Sequence, residues 1–527
     1  MLPIMPDKVT SVHHAYTIFL FGVLYLSPWR ISSFFTRAHD LNIKQAVDQK
    51  IIIFSKRKHK AFLLINHARQ CVMLSVLIEN KRTLALALPI MVGHVSQMLI
   101  GLADTVMIGR VGTTELAAAA FANVIFNTFF VAAIGLFIAV SVNTAHEHGA
   151  KRDQEAAEIL RNSLSIAVLI GISLAFILCA LNPILYIFKQ PQSVTILAPK
   201  YLFWLSISLI PAVPALTVKS FCEAKNHPWA VFWIMLGGVA LNVALNYILI
   251  FGNLGFPRLE LIGAGVATFI SRMTVLFVIL YYINKSKMLA SSLPKKWIGR
   301  LNKEKILSLL QIGLPTAGQL TIAFGSFSIS ALLIGQFGST ALAAHQIALT
   351  CTALIFMFPL GIGMAVSIRV GHSIGSKDAM SCYPITWSAH IASFLITGFF
   401  ALSLILLSPT VARIFSSDPY LVELSASLLK IVALFLIFDG AQAISMSALR
   451  GLRDVIVPTI LIFFSFWIFA IPFGALFAFK FNFGARGLWI GLASGLALGA
   501  LLLTMRLIQQ LRSFVELASS SNKNNLP

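Results

Sequence analysis

From Leu84 to about Leu511 the chain is a succession of apolar stretches of bilayer-spanning length, separated by short polar breaks. A helix needs about 20 apolar residues to cross the hydrocarbon. Twelve candidate stretches begin near residues 84, 117, 160, 195, 229, 261, 306, 340, 385, 420, 456 and 485. Inside lipid every backbone polar group must find its partner within the chain, so spans of this length are read as helices. The expected fold is an all-α membrane protein of twelve transmembrane helices. Composition agrees: 58% of the 527 residues are hydrophobic and 11% charged, with a mean hydropathy of +0.86. That balance lies outside the range of soluble domains.

A net charge of +21 invites a nucleic-acid reading, which its placement opposes. With a cytosolic N terminus, the even-numbered breaks carry Lys151, Arg152, Arg161, Lys219, Lys225, Arg369, Lys377, Arg450 and Arg453. The break after the sixth span adds Lys285, Lys287, Lys295, Lys296, Arg300, Lys303 and Lys305; the opposite breaks hold far fewer. This is the positive-inside bias of a plasma-membrane (bacterial inner-membrane) protein with both termini cytosolic. The partner expected is the lipid bilayer, with no nucleic acid, and the chain is expected to act as a monomer.

The sequence repeats itself. "IGRVGTTELAAAA" (108–120) returns as "IGQFGSTALAAHQ" (334–346), an offset of 334 − 108 = 226. The same offset pairs Pro89 with Pro315, and "GLFIAVSVNTAHEHGAK" (135–151) with "GIGMAVSIRVGHSIGSK" (361–377). Two six-helix lobes follow, 84–285 and 306–511, joined by a basic cytosolic linker, 286–305, and ending in a polar cytosolic tail, 512–527. Six is even, so the lobes are parallel and related by pseudo-two-fold symmetry. Parallel repeats of this kind belong to transporters that expose a site between halves alternately to each side.

Two carboxylates lie well inside spans, Asp104 in "LIGLADTVMIG" and Asp439 in "LFLIFDGAQAISM". An intramembrane acid is costly and marks an ion pathway by default. The repeat places Ser330 opposite Asp104 and Val213 opposite Asp439, so neither acid is required by the fold itself. The structural alternative is a helix–helix hydrogen bond or a salt bridge, with Arg272 of the sixth span as a partner for Asp104. Asn242 and Asn246 are four apart and share a helix face. Their carbonyl oxygens suit a hard cation such as Na⁺, or they serve as interhelical glue. Thr268, in "GAGVATFIS", is ambiguous in the same way. Pro211 and Pro214 in "SLIPAVPAL" read equally as a break or kink that supplies a hinge in the fourth span, or as prolines tolerated among packed helices. His345 and Gln346 replace Ala119 and Ala120 of the first lobe, as cavity-lining or helix-bonding residues; His94 and His390 read as structural.

No nucleotide-binding or hydrolytic motif is present, so no enzymatic activity and no cofactor is expected, and energy would come from an ion gradient. Cys71, Cys179, Cys222, Cys351 and Cys382 show no metal spacing and no disulfide framework, and three of them lie in or beside apolar spans, where Cys behaves as a small hydrophobe. Residues 1–83 form a basic block with an apolar segment, 15–29, and "SKRKHK" at 55–60. It reads equally as a real extension or as upstream sequence from a mischosen start codon, Met73 being the alternative.

The motifs "LALPIMVGHVSQMLIGLADTVMIG", "LNVALNYILIFG", "GAGVAT", "GSTALAAHQIAL", "MFPLGIGMAVSIRVGHSIG" and "DGAQAISMSALRGLRD" together resemble the MATE (multidrug and toxic compound extrusion) transporters, most closely the NorM-like branch. The likeness covers 84–511. It implies export of organic cations and other drugs in exchange for Na⁺ or H⁺. It also implies cation coupling at Asp104, with Asn242, Asn246 and Thr268 gathered around it and Asp439 in the second lobe. Two departures stand out: Ala323 occupies the place of a seventh-helix glutamate, with Gln319 one turn earlier as a cavity candidate, and Phe435 replaces an aromatic hydroxyl. The second-lobe cation site therefore reads as impoverished. A lipid-linked precursor flippase of the same superfamily is the alternative; it would call for several cavity cations, where the spans offer mainly Arg272.

Overall fold

The computed structural model describes residues 78–99, 101–181, 191–297 and 299–523. The extension up to residue 77, with Cys71 and Met73, lies outside the described residues. The described part contains twelve helices long and apolar enough to cross a membrane. They are α1 (Ile78–Gly109), α2 (Thr113–Gly149), α3 (Asp153–Ala180), α4 (Gln192–Ala224), α5 (Pro228–Phe251) and α6 (Glu260–Lys285) in the first lobe. The second lobe has α7 (Lys303–Gly335), α8 (Ser339–Gly375), α9 (Cys382–Phe415), α10 (Pro419–Gly451), α11 (Ile456–Lys480) and α12 (Ala485–Lys523). The breaks 150–152, 225–227, 286–302, 376–378 and 452–455 fall on one side, hereafter the basic face.

Several sequence boundaries shift. Asn302 caps α7 by accepting from the Glu304 amide at 2.9 Å, so the helix begins inside the segment read as linker. The tail continues α12 to Lys523 rather than forming a separate segment. Lys219 and Arg450, read as loop cations, lie inside α4 and α10 with their side chains largely buried. The fourth span does break, at Ser208, between helical segments Gln192–Ile207 and Leu209–Ala224. Pro211 has no N–H to donate to the preceding turn, which accounts for a break there. The linker is not a free tether. Asp153 accepts from Ser291 Oγ (2.9 Å) and Ser292 Oγ (2.8 Å), and Asn162 Oδ1 from the Asn302 amide (2.7 Å).

The lobes join through α1, α2, α7 and α8, and the contacts obey the sequence repeat. A Cβ on Gly135 would come within 2.5 Å of the Ala317 Cα, and one on Gly361 within 3.0 Å of the Met91 Cα. Gly135 and Gly361 are repeat mates, as are Met91 and Ala317. At the basic ends a Cβ on Gly149 would stand 2.1 Å from the His372 carbonyl oxygen, and one on Gly375 2.1 Å from that of His146. His146 Nε2 donates to the Gly451 carbonyl and His372 Nε2 to the Ala224 carbonyl, each at 2.8 Å. Backbones this close require glycine, since any side chain would occupy the partner's main chain.

Helix α2 is buried on every side from Gly135 to Glu147, whereas between Thr113 and Ile134 only a stripe including Ala118, Ala122, Phe126 and Ala133 is covered. Helix α8 is likewise packed nearly all round from Gly361 to Ser373. Leu86, Ala87, Ile90 and Met91 of α1 join the apolar core of the second lobe, while Leu309 and Ile312 of α7 join that of the first. The lobes therefore interlock at the basic face and part towards the other.

Candidate functional site

Asp104 lies five residues from the end of α1, about 7 Å of helix from the face where the lobes part. Asn242 and Asn246 lie on one face of α5, and Thr268 two turns into α6. The fold brings all four together. Asn246 Nδ2 donates to Asp104 Oδ1 (2.5 Å) and to Asn242 Oδ1 (3.2 Å). Asn242 Nδ2 in turn reaches Thr268 Oγ1 at 3.5 Å, and that hydroxyl donates to the Ala264 carbonyl at 2.9 Å.

Asn246 is fully buried and its Oδ1 has no hydrogen-bond partner among the described residues. A buried polar atom left without a partner is expensive, and in native structures it calls for an explanation. Beside a carboxylate and a second amide oxygen, this spare carbonyl completes an all-oxygen donor set of the kind hard cations accept. An amide also presents either a donor or an acceptor when it turns over. The same residue can thus face Asp104 in its charged or its protonated form. The residues present fit either ion.

Arg272 does not pair with Asp104. Its Nη1 donates to Ser208 Oγ at 2.7 Å, at the break in α4, and its guanidinium sits 5.1 Å from the ring centres of both Phe126 and Phe130. A planar guanidinium stacks on rings in a way an ammonium does not. Arg272→Lys is accordingly expected to cost about 1–2 kcal/mol, read as a lowered melting temperature of the purified protein in detergent.

The second lobe is arranged differently. Asp439 is 8% exposed and makes no hydrogen bond or ion pair to a described residue. One turn earlier Phe435 packs against Phe327 and Trp489, with centroids 6.1 and 5.9 Å away. Ala323 supplies no polar atom beyond its backbone. Gln319, expected to line a cavity, is instead buried between helices. It donates to the Val455 carbonyl and Thr459 Oγ1, both at 3.1 Å, and accepts from Arg450 Nη2 at 3.3 Å. The cause is Arg450 itself, a buried cation whose guanidinium needs an acceptor. His345 is 0% exposed and lies against Trp489 (5.6 Å), so it is packed in the core and not open to a cavity; Gln346 is exposed.

Sequence reading missed a second polar group in the first lobe. Lys219 Nζ and Glu223 Oε1 of α4 pair at 3.0 Å, largely buried, next to His94 of α1. The available signal was a Lys–Glu spacing of four near the end of an apolar helix.

A two-lobed bundle of twelve membrane-spanning helices with a half-buried carboxylate–amide cluster is the architecture of a membrane transporter. The MatE family model matches residues 89–248 and 315–476, two blocks whose starts are 315 − 89 = 226 apart. The "Probable multidrug resistance protein NorM" of Bradyrhizobium diazoefficiens is 34% identical over 433 residues, 81% of this chain and 93% of that protein. The "Multidrug resistance protein PmpM" of Pseudomonas aeruginosa is 32% identical, covering 83% of this chain and 93% of its own. Among solved structures, the eukaryotic MATE transporter AtDTX14 superposes with a TM-score of 0.77 at 21% identity, covering 84% of this chain and all of that one. An outward-facing multidrug resistance MATE transporter of the MOP superfamily gives 0.76, at 21% identity over 83% of this chain and 97% of that one. The chain belongs to the MatE family of membrane transporters.

Proposed function

We propose that this protein is a secondary active multidrug exporter. It would carry cationic or amphipathic organic compounds out of the cell in exchange for Na⁺ or H⁺. The carrying observation is the Asp104–Asn246–Asn242–Thr268 cluster: a carboxylate held by an α5 amide, which a second α5 amide and an α6 hydroxyl back in turn, with one amide oxygen unspent. The multidrug-resistance names of its relatives support the substrate class. The basic face is assigned to the cytosol of the plasma membrane, with both termini there. Alternating access then needs only that the ion favour one arrangement of the lobes and the substrate the other.

The test is ethidium movement in proteoliposomes under imposed Na⁺ or H⁺ gradients. Gradient-dependent export is expected, abolished when the gradient is collapsed. Ethidium flux indifferent to both ions would remove the antiport reading.

A further inference from the structure

The seam between α1 and α5 does not end at the Asp104 cluster. On α1, residues 94, 97, 101 and 104 recur at helical spacing on one side, as do 228, 231, 235, 242 and 246 on α5. Both helices run away from the basic face, so the two rows climb side by side. About 10 Å below the cluster, Gln97 and His94 of α1 meet Met235 and Val231 of α5 around a cavity of about 10 Å³ that also touches Lys219 and Glu223 of α4. That is room for a single water. Between cavity and cluster stands Gly101, an exposed position where a Cβ would meet no described atom within 4 Å.

The polar groups around this cavity are unspent. Glu223 is 2% exposed; its Oε1 takes the Lys219 ammonium, and its Oε2 is buried with no partner among the described residues. His94 Nε2 donates to Met364 Sδ of α8 at 3.2 Å, leaving Nδ1 available. Among the described residues lining the cavity, the titratable groups are His94, Lys219 and Glu223. The facing side chains of α5 and α8 (Val231, Phe232, Met235, Met364) cannot titrate.

We propose that His94 and Glu223, bridged by water in this cavity, relay the coupling proton between Asp104 and the basic face. The proposal rests on Asp104 being the coupling group. The proton leaves the Asp104 carboxyl and passes along water beside Gly101 to His94 Nδ1. From the imidazolium it goes to Glu223 Oε2 and then to solvent, each group returning to its starting form. Lys219 orients Glu223 and, as a fixed cation, disfavours a metal ion in the passage. Met364 belongs to the other lobe, so the contact that pins His94 is made or broken as the lobes move. The relay is thereby tied to one arrangement and does not leak protons in both.

The test uses the full chain in proteoliposomes, comparing export of ethidium driven by a pH gradient with ethidium counterflow, which needs lobe movement but no net proton transfer. Glu223→Gln and His94→Gln are expected to slow driven export at least about tenfold, with the KM for ethidium and the counterflow rate unchanged. The relay is overturned if both variants export at the unaltered rate while Asp104→Asn does not. It is equally overturned if counterflow falls in parallel, which would make the pair a packing element, or if Na⁺ alone drives export at every pH. Should Asp104→Asn itself export at full rate, the coupling assignment fails instead, whatever Glu223→Gln does.

Discussion

Asp104→Asn is expected to reduce gradient-driven ethidium export to the level of protein-free vesicles, a loss of about a hundredfold or more, while ethidium counterflow persists. The amide keeps the size of the carboxyl and can still meet Asn246. It can neither carry a negative charge nor exchange a proton, so the ion loses its preference between the two arrangements of the lobes. A ligand without differential affinity shifts nothing, however tightly it binds. Asp439→Asn is expected to be milder, within about tenfold, because Asp439 has no amide partner and no acid at position 323 to share an ion with. Initial rates in the same vesicles decide between the two. A larger loss at Asp439 would move the coupling site to the second lobe.

Gly375→Val should trap the protein open at the basic face. Its Cβ would lie 2.1 Å from the His146 carbonyl oxygen, on backbone that cannot swing aside. Overpacking a tight contact costs about 1–3 kcal/mol, and the cost falls only on the interlocked arrangement. At the upper end that shifts the balance of states by roughly a hundredfold. Export should fall accordingly with the chain still inserted and folded. A cysteine at Ala145, buried beside Gly371, reports the change. A thiol reagent supplied from the basic side should modify it at least tenfold faster in the Gly375→Val background, each factor of ten being about 1.4 kcal/mol. Unchanged labelling would mean that the glycine contact is not what closes this face. The repeat mate, Gly149→Val, should behave alike, since it meets the His372 carbonyl at the same 2.1 Å.

Much of the architecture is legible in the sequence because its signals are local. Span length follows from hydropathy, the lobes from an offset of 226, and the shared face of Asn242 and Asn246 from a spacing of four. The uniqueness of Asp104 follows from Ser330 standing at the equivalent place. The fourth span breaks at Ser208, just before Pro211, one of two readings its prolines left open. The errors share one physical origin. Lys219 and Arg450 sit near span ends and look like loop cations, yet a partner four residues away or on another helix allows each to be buried. Gln319 looked free because Arg450 is 131 residues distant.

Periodicity says which residues share a face and leaves open which faces meet. Sequence alone determined the twelve spans, their duplication and the lack of a repeat mate for Asp104 in the second lobe. Tertiary structure decided that Asn246 and not Arg272 reaches Asp104, and that α1 and α5 run side by side from that cluster to the Glu223 cavity. It also decided that the lobes lock at Gly149 and Gly375. Those pairings depend on how closely two backbones approach, a property of the helix pair and of no single stretch of chain.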